Sequence, residues 1–277
     1  MFIEPTVITS RHNPTVARAV RLDQKKYRDA EGCFLIHGVK LAEEALRCGV
    51  ETELILVRED TADRALEPFR TAAEGREVRV ILLGESAFAK ISPEKSPDGV
   101  ICVAKALDKF HKTVTIKKGE PLAAPGERLL LLESLRDPGN LGTVLRSAAA
   151  FGADRVILSA DCAELYNPRT LRAAMGAVFK LPTARVDDLP AAIDALRTGG
   201  RRVWATALNA KAARLDALDL AEGDCFLIGH EGHGLSDAAI AAADGAVFIP
   251  MRAHTESLNA AAAAAVCLWE QARRFGV

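Results

Sequence analysis

The sequence predicts an α/β protein built from two domains, and three observations support that prediction. The chain has 277 residues, enough for two cores of ordinary size. Apolar segments of strand length alternate with segments of helical pattern in both halves of the chain. Between the halves, residues 107–127 lose this alternation and are rich first in lysine, then in Pro, Gly and Ala. We therefore expect a domain at 1–106, a linker at 107–127 and a second domain at 128–277.

The first domain is predicted to be an α/β sandwich. Asn13-Pro14 has the pattern of a helix N-cap followed by proline, so a helix is expected from residue 14 to about residue 29. Helices are also expected at VKLAEEALRCG and around 61–74. The expected strands are CFLIHG, TELILVR, VRVILL and the end of ISPEKSPDGVICVAKA.

The second domain is predicted to contain a mostly parallel sheet with helices on both sides. RLLLLESL is a continuous apolar run, as expected for a strand buried on both faces. Further strands are expected at RVILSA, RRVWATAL, DCFLIG and AVFIPM. Helices are expected near 169–179, 188–198 and 236–243, and from about Ser257 to the end of the chain.

Composition argues against several classes of protein. Hydrophobic residues make up 49% of the chain and charged residues 26%, and no apolar run is long enough to cross a bilayer. The first residues lack the basic and then apolar pattern of a signal peptide, so a cytoplasmic location is expected. The six cysteines are scattered without a CxxC pair, which predicts reduced, buried thiols and neither disulfides nor a zinc cluster.

Two basic stretches are candidates for contact with nucleic acid, although the net charge of the whole chain is only −1. Residues 10–28 hold six basic side chains against one acid, and residues 105–118 hold five against one. Either stretch could neutralise phosphates, or could simply be a solvated helix face and a solvated linker.

Three loops of the second domain are the main candidates for a ligand site. Each follows a buried strand and is rich in Gly, Asn, Pro or acidic residues. They lie in LLLLESLRDPGNLGTVLRSAAAFG, FLIGHEGHGLSD and VFIPMRAHTESLNAAAAA. In open α/β sheets, ligand sites form at the carboxyl ends of the strands, so we expect the three loops to lie on one edge.

The first loop offers Asn140 and Arg146. Pro138, Gly139 and Gly142 predict a tight turn that brings the backbone close to a ligand. An arginine on a helix that packs against a sheet must be paired or must face a site, unless it lies along the surface. Both interpretations of Arg146 stay open on residue chemistry alone.

The second loop partly matches the sequence pattern of a zinc site. His230-Glu231-Gly232-His233 looks like the start of HExxH, but the second histidine comes one residue early and the nearby glycines oppose a helix. We therefore expect no metal. The glycines instead predict a loop wrapped closely around a ligand, with Glu231 as its anionic side chain.

In the third loop, Ser257 is expected to cap the terminal helix and Asn259 to fall in its first turn. The N-terminus of a helix offers free amide donors and partial positive charge, and a cap residue can also touch a ligand. The alanines at 260–265 allow neighbouring backbone to pack very closely.

Together and in this order, the three loops resemble the motifs of the SpoU (TrmH-type) RNA 2′-O-methyltransferases, members of the SPOUT superfamily. The matching segments are DPGNLGTVLR at 137–146, IGHEGHGLS at 228–236, IPM at 249–251 and ESLN at 256–259. The N-terminal segments SRHNP, KYR, FLIHGVKL and SPDGV are similar to the substrate-binding domain of the same family, a smaller L30e-like α/β fold.

The resemblance implies a trefoil knot in the C-terminal domain, a topology that general rules disfavour. It also implies a homodimer through the knotted domain, and S-adenosyl-L-methionine as cofactor, held mainly by backbone. The cofactor-binding residues that it implies are Thr206, Ala207, Gly229, Ile249 and Leu258.

The implied reaction is methylation of a ribose 2′-hydroxyl. Because the sulfonium methyl group is already activated, the protein has to align the hydroxyl and help with one proton. Arginine normally stays protonated, so we expect Arg146 to stabilise the developing alkoxide and the phosphate, and the proton acceptor stays open. Asn140, Ser257 and Asn259 are expected to orient these groups, and Glu231 to hold its loop and Arg146 in place.

RNA is the implied partner, and a separate RNA-binding domain favours large-subunit (23S-type) ribosomal RNA over tRNA. A tRNA 2′-O-methyltransferase and a catalytically silent RNA-binding relative are the alternatives. A Rossmann-type enzyme is excluded, because no GxGxxG follows a strand. The residues expected to contact RNA are Arg11, Asn13, Lys26, Arg28 and Lys40.

Three positions depart from the family pattern. His230 stands where Asn or Ser is usual, His37 where glutamate is common, and Ala174 where serine is frequent. We expect the hydrogen bonding beside Glu231 and the RNA contact near residue 37 to differ accordingly.

Overall fold

The structure is a computed structural model, and it falls into two compact units. The first unit comprises residues 1–107 and 166–179, and the second comprises residues 108–165 and 180–277. The residues that the structure describes are 2–3, 6–73, 77–92, 98–108, 110–117, 120, 122–124, 126–252 and 257–277.

Strands and helices alternate along both units, as the sequence predicts. The strands are β1 Phe2–Ile3, β2 Cys33–His37, β3 Thr52–Arg58, β4 Arg79–Leu83, β5 Val100–Lys105, β6 His111–Val114, β7 Leu129–Leu132, β8 Arg155–Ser159, β9 Thr183–Val186, β10 Val203–Thr206, β11 Ala213–Arg214, β12 Cys225–Ile228 and β13 Gly245–Phe248. The α-helices are α1 Pro14–Arg21, α2 Lys25–Glu31, α3 Val39–Arg47, α4 Ala62–Ala72, α5 Glu85–Ile91, α6 Pro138–Ala150, α7 Pro168–Ala174, α8 Leu189–Thr198, α9 Asp237–Ala242 and α10 Ala260–Phe275.

The first unit is built on a five-stranded mixed sheet in the order β1-β4-β3-β5-β2. β4 runs parallel to β1 and β3, whereas β5 runs antiparallel to β3 and β2. Side chains of α1 and α5, such as Val16 and Phe88, pack on one face of this sheet over Leu35, Leu56 and Ile101. The alternate side chains of β2 and β3 are buried as well, so the sheet is covered on both faces.

The single helix expected from residue 14 to about residue 29 is wrong, because the chain breaks it between Arg21 and Lys25. Leu22 is buried at this point, and the Arg28 guanidinium donates to the carbonyl oxygens of Leu22 at 2.8 Å and Asp23 at 2.7 Å. These charge-assisted hydrogen bonds satisfy carbonyl groups that a continuous helix would have paired itself. The helical pattern of the sequence carries no sign of them.

The second unit contains an eight-stranded sheet in the order β11-β13-β10-β12-β7-β8-β9-β6. Every pair of neighbouring strands in it is parallel, which confirms the prediction of a mostly parallel sheet. All four residues of β7 and of β12 are buried, as the apolar run at 129–132 indicated. Helices α8 and α9 cover one face, while α6 and α10 pack against each other.

The predicted linker contains a strand of its own. His111–Val114 forms β6, which pairs in parallel with β9 at the edge of the large sheet. Lys112 is exposed there, and a charged side chain is common on an edge strand because it discourages pairing with other chains. Lys109 and Lys118 of the same basic stretch lie outside the described residues.

The terminal helix begins later than expected. Its N-cap is Asn259 and not Ser257, since the Asn259 side-chain oxygen accepts hydrogen bonds from the amides of Ala261 at 2.9 Å and Ala262 at 3.3 Å. Asparagine and serine are comparable N-caps, so local preference could not decide between them.

All six cysteines are free thiols. Burial raises the pKa of Cys102, Cys225 and Cys267 to about 12, so these thiols stay protonated and unreactive at neutral pH. Among the described residues, no helix combines the length and the apolar character needed to cross a membrane.

The carboxylate of Asp161 joins the chain segments that follow β7 and β8. It accepts hydrogen bonds from the hydroxyls of Ser134 and Ser159, both at 2.7 Å, and from the Arg136 guanidinium at 2.9 Å. Burial alone would raise the pKa of Asp161, but these donors outweigh it and lower the pKa to about 2.

We predict that Asp161→Asn lowers the free energy of unfolding near neutral pH. Because the side chain is 42% exposed, the expected loss is reduced by solvent screening to about 1 kcal/mol. A carboxyl whose pKa is lower in the folded state stabilises the fold above its unfolded pKa. The difference between variant and wild type should therefore vanish as the pH falls from about 4 to about 2. Urea unfolding over this pH range measures it, with Asp194→Asn as an exposed control; an equal loss at every pH would contradict the prediction.

Candidate functional site

A cavity of about 410 Å³ lies at the carboxyl ends of three neighbouring strands of the second unit, within the size range typical of small-molecule sites. Thr206 and Ala207 stand at the end of β10, Gly229 follows β12, and Ile249 follows β13. Leu258 comes just before α10 and completes the set of predicted cofactor-binding residues, all of which line the cavity. The sheet thus brings together side chains that the sequence keeps far apart.

The wall at Gly229 is formed by a loop that folds back on itself. His230 and Gly234 exchange two backbone hydrogen bonds of 3.0 Å, which close residues 229–234 into a tight loop. A Cβ atom on Gly229 would lie 2.5 Å from the carbonyl carbon of Gly234 and 2.6 Å from the amide nitrogen of Leu235. Only glycine allows this close approach of two backbone segments.

Three of the predicted catalytic residues form one chain of hydrogen bonds beside the cavity. The Asn140 side-chain amide donates to the Glu231 carboxylate at 3.0 Å, and the Asn259 side-chain amide donates to the Asn140 oxygen at 3.0 Å. The Asn259 oxygen is in turn used to cap α10. The three predicted loops therefore meet, and each amide is fixed in orientation by its partners.

A second contact between the first and second loops was missed at the level of sequence. The Glu133 carboxylate accepts hydrogen bonds from the Ser236 amide at 2.8 Å and from its hydroxyl at 2.6 Å. Ser236 also caps α9. The only signal in the sequence is an acidic residue directly after a buried strand, which does not identify its partner.

Arg146 and Ser257 stand apart from this network. Arg146 lies on the exposed side of α6, and within the part of the chain that the structure describes its guanidinium has no hydrogen-bond partner. Ser257 is exposed and lines the cavity. Glu256, from the third predicted motif, lies outside the described residues.

Among the described residues, the lining of the cavity is mostly apolar, and its ionisable side chains are Glu231, His230 and His233. The two imidazole rings stack with centroids 5.0 Å apart, and no metal-binding cluster of His, Cys, Asp or Glu occurs among the described residues. Leu208 and Met251 also line the cavity, although neither was among the predicted site residues. Only its place after a strand marks Leu208, whereas Met251 lies in the matching segment at 249–251. Apolar walls, exposed backbone and one carboxylate suit a ligand with a flat, weakly polar part and a positive charge.

The predicted RNA-binding residues of the first unit divide into two groups. Arg11, Lys26 and Lys40 are exposed. The Asn13 oxygen instead accepts from the Thr15 amide at 2.9 Å and caps α1, while Arg28 is only 5% exposed and supports the break after α1. RNA contact stays a prediction for all five. The departures His37 and Ala174 lie at the ends of β2 and α7, and Ser96-Pro97 lies outside the described residues.

Comparisons with known proteins agree with this arrangement. Residues 127–269 match the SpoU rRNA Methylase family, and residues 13–102 match the MRM3-like substrate binding domain. The chain is 32% identical over 262 residues to the 23S rRNA (guanosine(2553)-2′-O)-methyltransferase RlmP of Bacillus subtilis, covering 95% of this chain and 97% of the relative. It is 31% identical over 220 residues to the 23S rRNA (guanosine-2′-O-)-methyltransferase RlmB of Coxiella burnetii, covering 79% and 87%.

A solved structure is similar over nearly the whole chain. The AdoMet-bound rRNA methyltransferase from Sinorhizobium meliloti superposes with a TM-score of 0.79 at 28% identity, covering 99% of this chain and 98% of the other. The likeness therefore extends over both units and includes a protein that holds this cofactor.

We predict that Gly229→Ala opens the loop at 229–234, whereas Gly232→Ala leaves it closed. A Cβ on Gly232 would meet nothing nearer than the His230 ring at 3.5 Å, an ordinary contact, so Gly232→Ala is a matched control. Hydrogen exchange of the His230 and Gly234 amides should become at least about tenfold faster in Gly229→Ala only. Equal exchange in the two variants would show that the close approach at Gly229 does not hold the loop.

Proposed function

The chain belongs to the SpoU rRNA methylase family, and from that membership we propose that it transfers the methyl group of S-adenosyl-L-methionine to a ribose 2′-hydroxyl of large-subunit ribosomal RNA. Two similar relatives are named as 2′-O-methyltransferases of 23S rRNA. The observation that supports this function best is structural. All five residues expected to bind the cofactor line one cavity, and Glu231 in the same wall is hydrogen-bonded to Asn140.

The residues around the cavity fit this cofactor. Apolar side chains such as Ile228, Leu235 and Ile249 offer walls for a flat heterocycle, and the exposed backbone at the strand ends offers hydrogen bonds. The Glu231 carboxylate places negative charge in a wall that would face a cation. Gly229, Ile249 and Leu258 would hold the cofactor mainly by backbone. Once bound, it would supply a methyl group already activated on a sulfonium.

The side chains beside the cavity would align the ribose. Asn140, Glu231 and Asn259 hold one another at 3.0 Å, so their polar groups need little reorganisation when RNA binds. Ser257 would offer its hydroxyl to the ribose or phosphate from the cavity wall. Arg146 would stabilise the alkoxide that develops as the 2′-hydroxyl loses its proton.

We also propose an oligomeric state, a chain topology and a cellular location for the protein. Helix α10 packs against α6 and exposes Trp269, which is 52% exposed and contacts the Phe151 ring at 5.7 Å between centroids. An exposed tryptophan beside Val266 on a helix pair is typical of a protein interface, so we propose that a second copy covers this face as a homodimer. Membership of the family also leads us to propose the trefoil knot in the second unit. Because the proposed substrate is ribosomal RNA, we propose a cytoplasmic location for the enzyme.

Two measurements test the function. Calorimetry with S-adenosyl-L-methionine should detect binding to the full chain, and absence of binding would contradict the assignment. Mapping of 2′-O-methylated nucleotides in RNA from cells with and without the gene should find a lost site in large-subunit rRNA. Loss from tRNA alone would favour the tRNA enzyme, and cofactor binding with no lost site would favour a silent relative.

We predict that Arg146→Ala keeps cofactor binding and loses methyl transfer. The turnover number should fall about 10²–10³-fold, as expected when one group that stabilises developing charge is removed, while the affinity for S-adenosyl-L-methionine stays within about twofold. Arg197→Ala, at a partly exposed arginine of α8, is the control and should keep full activity. Retained activity in Arg146→Ala would remove Arg146 from its proposed role.

We also predict that exposed cations of the first unit bind RNA through phosphate. The double variant Arg11→Ala/Lys40→Ala should weaken RNA binding. In a plot of the logarithm of the binding constant against the logarithm of the salt concentration, the slope should become less steep by about one unit per lost phosphate contact. Lys90→Ala, at an exposed lysine of α5, serves as the control. Arg28→Leu should instead lower the free energy of unfolding, because the buried Arg28 guanidinium bonds the carbonyl oxygens of Leu22 and Asp23. Unchanged salt dependence in the double variant would contradict phosphate contact.

A further inference from the structure

The His230 side chain accepts hydrogen bonds within the loop at 229–234, which we call the cofactor loop. Its Nδ1 atom accepts a hydrogen bond from the Gly232 amide at 2.8 Å and a longer one from the His233 amide at 3.3 Å. These amides lie at the tip of the loop, between the two backbone bonds that join His230 and Gly234. Removing the imidazole would leave both amides without this partner.

The geometry also fixes the chemical form of the ring. A nitrogen that accepts from an amide carries no hydrogen, so the proton of the neutral imidazole is on Nε2. A doubly protonated imidazole would direct the Nδ1 hydrogen at two amide hydrogens. The ring would then have to leave its position, and the loop tip would lose its internal support.

We propose that His230 is a positioning residue, whose neutral imidazole holds the cofactor loop in the shape that binds S-adenosyl-L-methionine. This inference rests on the proposed function, because it assumes that the cavity is the cofactor site. His230 then acts through the backbone of Gly232 and His233, so its contribution depends on hydrogen-bond acceptance.

Among the described residues, the neighbouring ionisable groups have other partners. On the loop itself, Glu231 is bonded to Asn140 and His233 stacks on the His230 ring. On the elements packed against the loop, Glu133 accepts from Ser236 and Asp137 caps α6. The Gly232 and His233 amides bond instead to the His230 ring.

The test compares two replacements of His230. Asparagine can place its side-chain oxygen near the position of Nδ1 and accept the same amides. Leucine has similar bulk and accepts nothing. Calorimetry with S-adenosyl-L-methionine measures the affinity of each variant. His12→Asn, at an exposed histidine of the first unit, is the control.

We expect His230→Asn to bind the cofactor within about threefold of wild type, because its side-chain oxygen can accept the same amides. His230→Leu should bind about tenfold more weakly, and His12→Asn should bind as wild type does. Wild-type affinity in His230→Leu, or affinity in His230→Asn as weak as that of His230→Leu, would overturn the proposal.

Hydrogen exchange of the cofactor-free protein separates this proposal from the proposed function. The Gly232 and His233 amides should exchange faster in His230→Leu than in wild type, and at wild-type rates in His230→Asn. If wild type binds no S-adenosyl-L-methionine, the proposed function fails. Unchanged exchange in His230→Leu would overturn the role of His230 in shaping the loop, whether or not the cofactor binds.

Discussion

The site depends on the side-chain amide of Asn140, which joins loops from three distant parts of the chain. It donates to Glu231, 91 residues away, and accepts from Asn259, 119 residues away. A primary amide can do both because it carries donors and an acceptor on one rigid plane. An aspartate could accept from Asn259 but would face Glu231 as a like charge. The parallel sheet brings the loops to one edge, and Asn140 sets their spacing there.

The cavity beside this amide is formed where strand ends and a closely folded loop meet, which explains why residue chemistry alone describes it poorly. Gly229 matters for the side chain that it lacks, and Thr206, Ala207, Ile249 and Leu258 matter for where their strands and helix place them. A site of this kind tolerates changes of side chain as long as the strand ends keep their register. Its specificity comes from shape and from backbone donors and acceptors, not from a charged clamp.

Patterns of apolar residues predicted most strands and helices, since burial on one or two faces leaves a local periodicity. What they could not predict depends on contacts between distant residues. The break after Arg21 is stabilised by the buried Arg28, and the pairing of Glu133 with Ser236 spans 103 residues. Ser257 and Asn259 are both suitable N-caps for α10. The structure uses Asn259, whose side-chain amide also bonds to Asn140. The grouping of the three loops, by contrast, followed from a general property of parallel sheets.

Arg146 is not needed to satisfy the hydrogen bonds of the network. Asn140, Glu231 and Asn259 hold one another, Asp137 caps α6, and the Arg146 cation on the exposed side of that helix has no partner among the described residues. A guanidinium keeps its charge at any physiological pH, so it attracts an anion instead of removing a proton. The anions that the proposed reaction provides are the phosphate of the RNA and the oxygen that develops on the ribose. Because no described residue is hydrogen-bonded to the Arg146 guanidinium, it is available to these anions in the proposed reaction.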